Sequence, residues 1–132
     1  MPSSFLPSLK KALTARAALL DEKHQSAFRL FNGFLEGDPD IAIDLYARTI
    51  VIHNYADSPA EGEEIAQIAK GFLLKEFPWI KAVLLKTRKG KTPQEKNGVL
   101  LYGEKTDDRI REYGVWYALD LTMNRDASLY LD

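Results

Sequence analysis

Residues 41–78 read IAIDLYARTIVIHNYADSPAEGEEIAQIAKGFLLKEFP, and the architecture follows from this stretch. Ile41, Ile43 and Leu45 alternate with Ala42, Asp44 and Tyr46, the two-residue period of a strand buried on one face. Ala47-Arg48 is a short link to a second apolar run, Thr49 to Tyr55, and so small a gap predicts an antiparallel hairpin. The period then changes to that of a helix. Ser58 is the candidate N-cap, Pro59 takes the first helical position and Glu61 completes a capping box. Ile65, Ile68, Ala69, Phe72 and Phe77 mark its core face. Glu63 and Glu64 lie toward the positive end of the helix dipole, with Lys70 and Lys75 toward the negative end. Pro78 disfavours helical geometry at Phe77 and ends the element.

N-terminal to this stretch, Leu6, Leu9, Leu13, Ala17 and Leu20 recur at helical spacing, in phase with His24 and Phe28. They predict an amphipathic helix over about residues 6–25, with Pro7 tolerated in its first turn and His24 closing it. That helix packs either on this domain or on something outside the chain. From Ala27 the signal turns to β, with Phe28, Leu30 and Phe31 leading into Asn32-Gly33 and a break at Gly37-Asp38-Pro39-Asp40. C-terminal to the central stretch, strands are predicted at Ile80–Leu85 and Val99–Tyr102, separated by the polar segment Lys86–Gly98. Glu112-Tyr113-Gly114 reads as a hairpin turn, and Val115, Tyr117, Leu119 and Leu121 then alternate as a half-buried strand. The class is α+β: a mainly antiparallel sheet with helices on one face, around a β-β-α-β-β core. The N-terminal helix occupies residues 1–26 and the small α+β domain residues 27–132.

With 132 residues, 45% hydrophobic and 28% charged, the chain is long enough for one packed domain without staples. It has no cysteine, which removes disulfides, thiolate metal sites and cysteine nucleophiles together. Eighteen basic against nineteen acidic residues give a net charge of −1, so any nucleic-acid contact must be a local patch. No apolar run approaches the roughly 20 residues needed to cross a bilayer, and no leader pattern is evident, so a cytoplasmic location is expected. No two glycines are separated by one residue, which excludes a G-x-G phosphate loop. P-loop, nucleophile-elbow and metal-helix patterns are missing as well, so nothing supports a standalone hydrolase. No residue here is a catalytic, cofactor or metal candidate.

Three features could carry function. The segment holding Lys86, Arg88, Lys89, Lys91 and Lys96 concentrates positive charge that suits phosphates; it equally suits a solvated hairpin tip. Arg29 and Asn32 flank an ordered turn and could reach sugar, phosphate or a base edge, although the same residues serve an ordinary strand and turn. Of the aromatics Trp79, Tyr102, Tyr113, Trp116 and Tyr117, Tyr117 follows the core alternation. Trp116 falls on the opposite face and is the one expected to be exposed, for RNA or for another domain. His53, on an alternating strand, reads as a satisfied packing residue.

Arg29-Leu30-x-Asn32-Gly33 followed by Gly37-x-Pro39-x-Ile41-x-Ile43-Asp44-x-Tyr46 resembles a segment of the class I ribosomal RNA large-subunit methyltransferases. Leu101-Tyr102-Gly103-Glu104, Glu112-x-Gly114-x-x-Tyr117-x-Leu119-Asp120 and the closing Ser128-Leu129-Tyr130-Leu131-Asp132 are similar to further segments of that family, in the same order. The resemblance covers about residues 27–132, with family glycines replaced by Asp40, Ala47 and Ser128. In the family the last segment continues into an S-adenosylmethionine-binding Rossmann domain, so the resemblance implies a chain truncated before its catalytic domain. It implies a parent enzyme that methylates ribosomal RNA with S-adenosylmethionine, and an accessory, non-catalytic role for this domain in positioning RNA. The implied RNA contacts are Lys86, Arg88, Lys89, Lys91, Arg29 and Asn32, and the implied partners are ribosomal RNA and the catalytic domain. The alternative is a module for domain packing or homodimerisation that never touches RNA.

Overall fold

A computed structural model describes residues 2–33 and 40–122, with side chains from Phe5 onward. The turn expected at Gly37-Asp38-Pro39 and the segment Ser128–Asp132 lie outside the described residues. The order is α1 (Pro2–Arg16), a 3-10 turn (Ala17–Leu19), β1 (Ala27–Asn32), β2 (Ile41–Tyr46), β3 (Thr49–Asn54), α2 (Pro59–Glu76), β4 (Ala82–Thr87), α3 (Pro93–Asn97), β5 (Val99–Tyr102), β6 (Arg109–Glu112) and β7 (Val115–Ala118). Strands β1 to β5 form one sheet in sequence order, and β6–β7 form a separate two-stranded ribbon. Every pairing in the large sheet is antiparallel except β3–β4, which is parallel across the α2 crossover.

One face of the sheet carries both long helices. Phe5, Leu9 and Ala12 of α1 and Ile65, Ala66, Ala69 and Leu73 of α2 are buried against Leu30, Phe31, Ile43, Ile52, Val83 and Leu85. The Phe5 and Phe31 rings meet edge to face at 5.3 Å. The opposite face is covered over Ala27, Tyr46, Val51 and Leu84 by Ile110, Leu119 and Leu121 of the ribbon segment. Covering on both sides explains why β2 and β3 are buried along their whole length, where the alternation of β2 had suggested a single buried face. Asp107 fastens the ribbon segment to the sheet: its Oδ2 accepts from the Arg48 N–H at 2.9 Å and the Thr49 hydroxyl at 2.7 Å.

The first helix is shorter than its apolar stripe. It ends at Arg16, whose Nη1 donates to the Leu30 carbonyl at 2.9 Å, and Leu20 is already extended. The chain must turn there to enter β1, and the Asp21 carboxylate holds that turn by accepting from the Gln25 and Ser26 N–H groups. His24 therefore does not close the helix; it sits at φ 53° and stacks on Trp79 at 3.8 Å.

Helix α2 runs between its two prolines as expected, but Ser58 makes no side-chain cap, so the capping box with Glu61 does not form. Asn54 organises the approach instead, donating to the Pro59 carbonyl at 3.0 Å and accepting from the Ala56 N–H at 3.1 Å. Its amide occupies the space over Gly62, where a Cβ would lie 1.7 Å from Asn54 Oδ1. The capping box that does form is on α3: Thr92 accepts from the Glu95 N–H at 3.1 Å and Glu95 accepts from the Thr92 N–H at 3.2 Å. The hairpin turn at Tyr113-Gly114 has φ 50° and 78°, the double left-handed signature of a type I′ connection.

Candidate nucleic-acid interface

Register brings the polar residues of the second sheet face together. Arg29 pairs with Asp44 across β1–β2, and His53 pairs with Ala42 across β2–β3 and with Lys86 across β3–β4. The β1–β2 register shifts between Arg29 and Phe31, so Phe28, Leu30 and Phe31 all join the helical core while Arg29 stays on the other face. Arg29 Nε and Nη2 donate to Asp44 Oδ1 and Oδ2 at 2.7 and 3.1 Å, a two-point ion pair. His53 Nε2 lies 3.0 Å from Asp44 Oδ2 and donates to the ionised carboxylate. Burial acts to raise the Asp44 carboxyl, but the hydrogen bonds from His53 and Arg29 and their charge outweigh it and hold Asp44 below its ordinary value. The Arg29 guanidinium is pushed up by the same bond to Asp44, against the opposing effect of burial.

The network runs on toward solvent. The His53 ring lies parallel to that of Tyr55 at 5.9 Å, and the Arg88 guanidinium also sits over the Tyr55 ring, 5.9 Å from its centroid. Arg88 is placed by its own N–H, which donates to the Asn54 carbonyl at 3.0 Å and continues the parallel ladder. Beyond it Lys89 bonds to Asp57, Lys91 precedes the short capped helix α3, and Lys96 lies in its last turn. The geometry thus joins a fixed, half-buried ion pair to an exposed run of cations through one tyrosine ring.

The six residues singled out from sequence are not equivalent. Arg88, Lys89 and Lys91 are exposed on the connection after β4. Lys86 is not on that connection: parallel pairing carries β4 on to Thr87, and Lys86 is buried with 3% of its surface exposed. Arg29 is committed to Asp44, and Asn32 is half-buried at the end of β1. Asp44, the residue that organises the face, was missed as a site residue, although its place as the one charge in an apolar alternation was the available signal. Trp116 is exposed as expected, but so is Tyr117, at 41% and 42%. Tyr117 shares a ribbon face with Ile110, yet only Ile110 is buried against the sheet, and β7 is exposed along its length to Ala118. Among the described residues no cluster of His, Asp and Glu is arranged to hold a metal ion, and no helix is long and apolar enough to cross a membrane.

No protein-family model matches the chain. Among curated proteins it is 29% identical over 131 residues to "Putative ribosomal RNA large subunit methyltransferase YwbD" of Bacillus subtilis (strain 168), covering 97% of this chain and 32% of that protein. This chain matches about one third of a protein described as a putative ribosomal RNA methyltransferase. At 97% of the chain the match takes in most of the N-terminal helix as well, so it extends beyond the segments that carried the resemblance. Among solved structures, "a putative sam-dependent methyltransferase from Streptococcus mutans" aligns with a TM-score of 0.76 at 20% identity, covering 99% of this chain and 33% of that one. A second, described as "a putative methyltransferase complexed with SAH", gives 0.77 at 20% identity over 99% and 33%. The fold described above therefore recurs within larger methyltransferases, and the chain spans about a third of the length of each relative.

Proposed function

We propose that this chain is the RNA-positioning part of an S-adenosylmethionine-dependent ribosomal RNA methyltransferase, working in the cytoplasm and without catalytic groups of its own. The observation that carries this reading is the alignment of nearly the whole chain with one third of a ribosomal RNA large-subunit methyltransferase. The cations Arg88, Lys89 and Lys91 support it, since they give a chain of net charge −1 a local docking edge for anions. Their role is positional: phosphate contacts set the register of the RNA, and S-adenosylmethionine bound elsewhere in the parent protein supplies the methyl group. Arg29 and Asp44 hold the sheet face behind that edge rigid, and Arg29, Asn32 and Lys86 act from behind the phosphate contacts.

The test is methyl transfer into ribosomal RNA by the parent protein carrying Arg88→Gln, Lys89→Gln and Lys91→Gln together. The KM for RNA should rise while the KM for S-adenosylmethionine stays as it was. An unchanged KM for RNA would remove this edge from the mechanism.

A further inference from the structure

The β6–β7 ribbon has two unlike faces. Its register pairs Arg109 with Ala118, Ile110 with Tyr117, Arg111 with Trp116 and Glu112 with Val115. Ile110 is fully buried against the sheet, so the face carrying Arg109, Arg111 and Trp116 points away from it. On that outer face the Arg109 guanidinium lies 4.3 Å from the Trp116 ring centroid and that of Arg111 lies 5.5 Å away. Among the described residues neither arginine has a carboxylate partner. The ribbon is held in place by the Arg111 N–H, which donates to the Gln25 carbonyl at 2.8 Å, while the Leu119 N–H extends the ribbon's own ladder by donating to the Asp108 carbonyl at 2.8 Å. Tyr113, at the tip, is fully exposed.

Packing does not require this arrangement, since Trp116 belongs to neither buried cluster and remains 41% exposed. With the guanidinium groups over its ring, Trp116 keeps 41% of its surface open inside a positive field. We propose that this face is a stacking platform for an unpaired nucleobase, with Arg109 and Arg111 taking the flanking phosphates. The inference rests on the reading that the chain works on RNA and adds a second contact, separate from the edge after β4. Single-stranded RNA satisfies both halves of the patch at once, because it alternates rings that stack with phosphates that pair. An acidic peptide satisfies the arginines and leaves the indole without a ring to cover it. A regular duplex buries its base faces and offers the indole nothing.

The test uses the 132-residue chain with a fluorescein-labelled single-stranded oligouridylate and an RNA duplex of equal length. A Trp79→Phe background leaves Trp116 as the only tryptophan emission. The single strand should quench Trp116 and the duplex should not. Trp116→Ala should weaken single-strand binding by about tenfold, a typical loss for one stacked base, while Trp116→Phe keeps most of it. Arg109→Gln with Arg111→Gln should flatten the salt slope by about 0.7 for each phosphate that is no longer neutralised. Circular dichroism confirms folding, and the quenching of the unsubstituted Trp116 does not depend on any variant of the ribbon.

If the chain binds the oligonucleotide without quenching Trp116, and Trp116→Ala binds equally well, the platform is refuted while the RNA reading stands. If the chain binds no RNA even at low salt, both fail. Quenching of Trp116 by oligoglutamate or by self-association, with none by RNA, would make the face a protein interface and overturn the proposal.

Discussion

Arg29 grips both carboxylate oxygens of Asp44, at 2.7 and 3.1 Å, from the edge strand of the sheet, on the face that also carries His53 and Lys86. Asp44 is 2% exposed and also accepts from His53, so two cationic or donating groups depend on one buried carboxylate. Removing the anion leaves them without a partner in a poorly solvated place. Asp44→Ala should therefore lower the free energy of unfolding by about 3 kcal/mol or more, read from the urea midpoint. A midpoint within error of the parent chain would show that the pair is dispensable.

The same carboxylate sets a dependence on acid. Asp44 is held below its ordinary value, so the unfolded chain binds its proton more readily than the folded one. Its contribution is complete above the unfolded pKa of about 3.9 and is lost as pH falls through the lower folded value. The stability gap between the parent chain and Asp44→Ala should stay constant from neutral pH down to about 5 and shrink below about 4. A gap that widens on acidification would reverse the assigned sign.

Two glycines of α2 should respond in opposite directions. At Gly62 an added Cβ would meet Asn54 Oδ1 at 1.7 Å, so Gly62→Ala must displace the amide that bridges Ala56 and Pro59. A loss of about 1–3 kcal/mol is expected, as for other overpacked positions. At Gly71 nothing lies within 4 Å of the added Cβ, and Gly71→Ala should stabilise the helix by about 0.5–1 kcal/mol. Thermal unfolding of both variants checks the pair; the same sign at both sites would contradict the close approach of α2 to Asn54.

Asp107 is the fastening between ribbon and sheet. Besides accepting from Arg48 and Thr49, it donates its own N–H to Thr49 Oγ1 at 2.8 Å and lies 3.4 Å from the Lys81 ammonium. Asp107→Ala should speed hydrogen exchange at the Arg111 and Leu119 amides and leave the Ile52 amide, in the centre of the sheet, protected. Uniform acceleration of all three would mean that the ribbon and the sheet open as one unit.

The parts of the fold legible in the sequence were those with local punctuation. Helix α2 lies between Pro59 and Pro78, the β2–β3 hairpin turns through Ala47-Arg48, and Glu112-Tyr113-Gly114 closes the ribbon. Whatever depended on distant partners was hidden. The apolar stripe of α1 runs past Arg16, but the turn into β1 cuts the helix there. Lys86 reads as the first residue of a basic loop, and only its parallel pairing beside His53 draws it into the sheet. Tyr117 follows the alternation of a core residue, yet alternation cannot say whether a second layer extends far enough to cover it. In the candidate interface the exposed cations were visible as a charge run, whereas Asp44 acquires its role through partners 15 and 9 residues away in sequence.

Salt dependence of RNA binding is the sharpest check on the proposed role. Affinity of the 132-residue chain for a single-stranded ribosomal RNA fragment would be measured over a range of salt, beside the variant with Arg88, Lys89 and Lys91 changed to Gln. The parent chain should bind with an affinity that falls steeply with salt. The variant should bind more weakly, with a slope shallower by about 0.7 for each phosphate left without its cation. Equal affinities and equal slopes for the two proteins would contradict a positioning role for this edge.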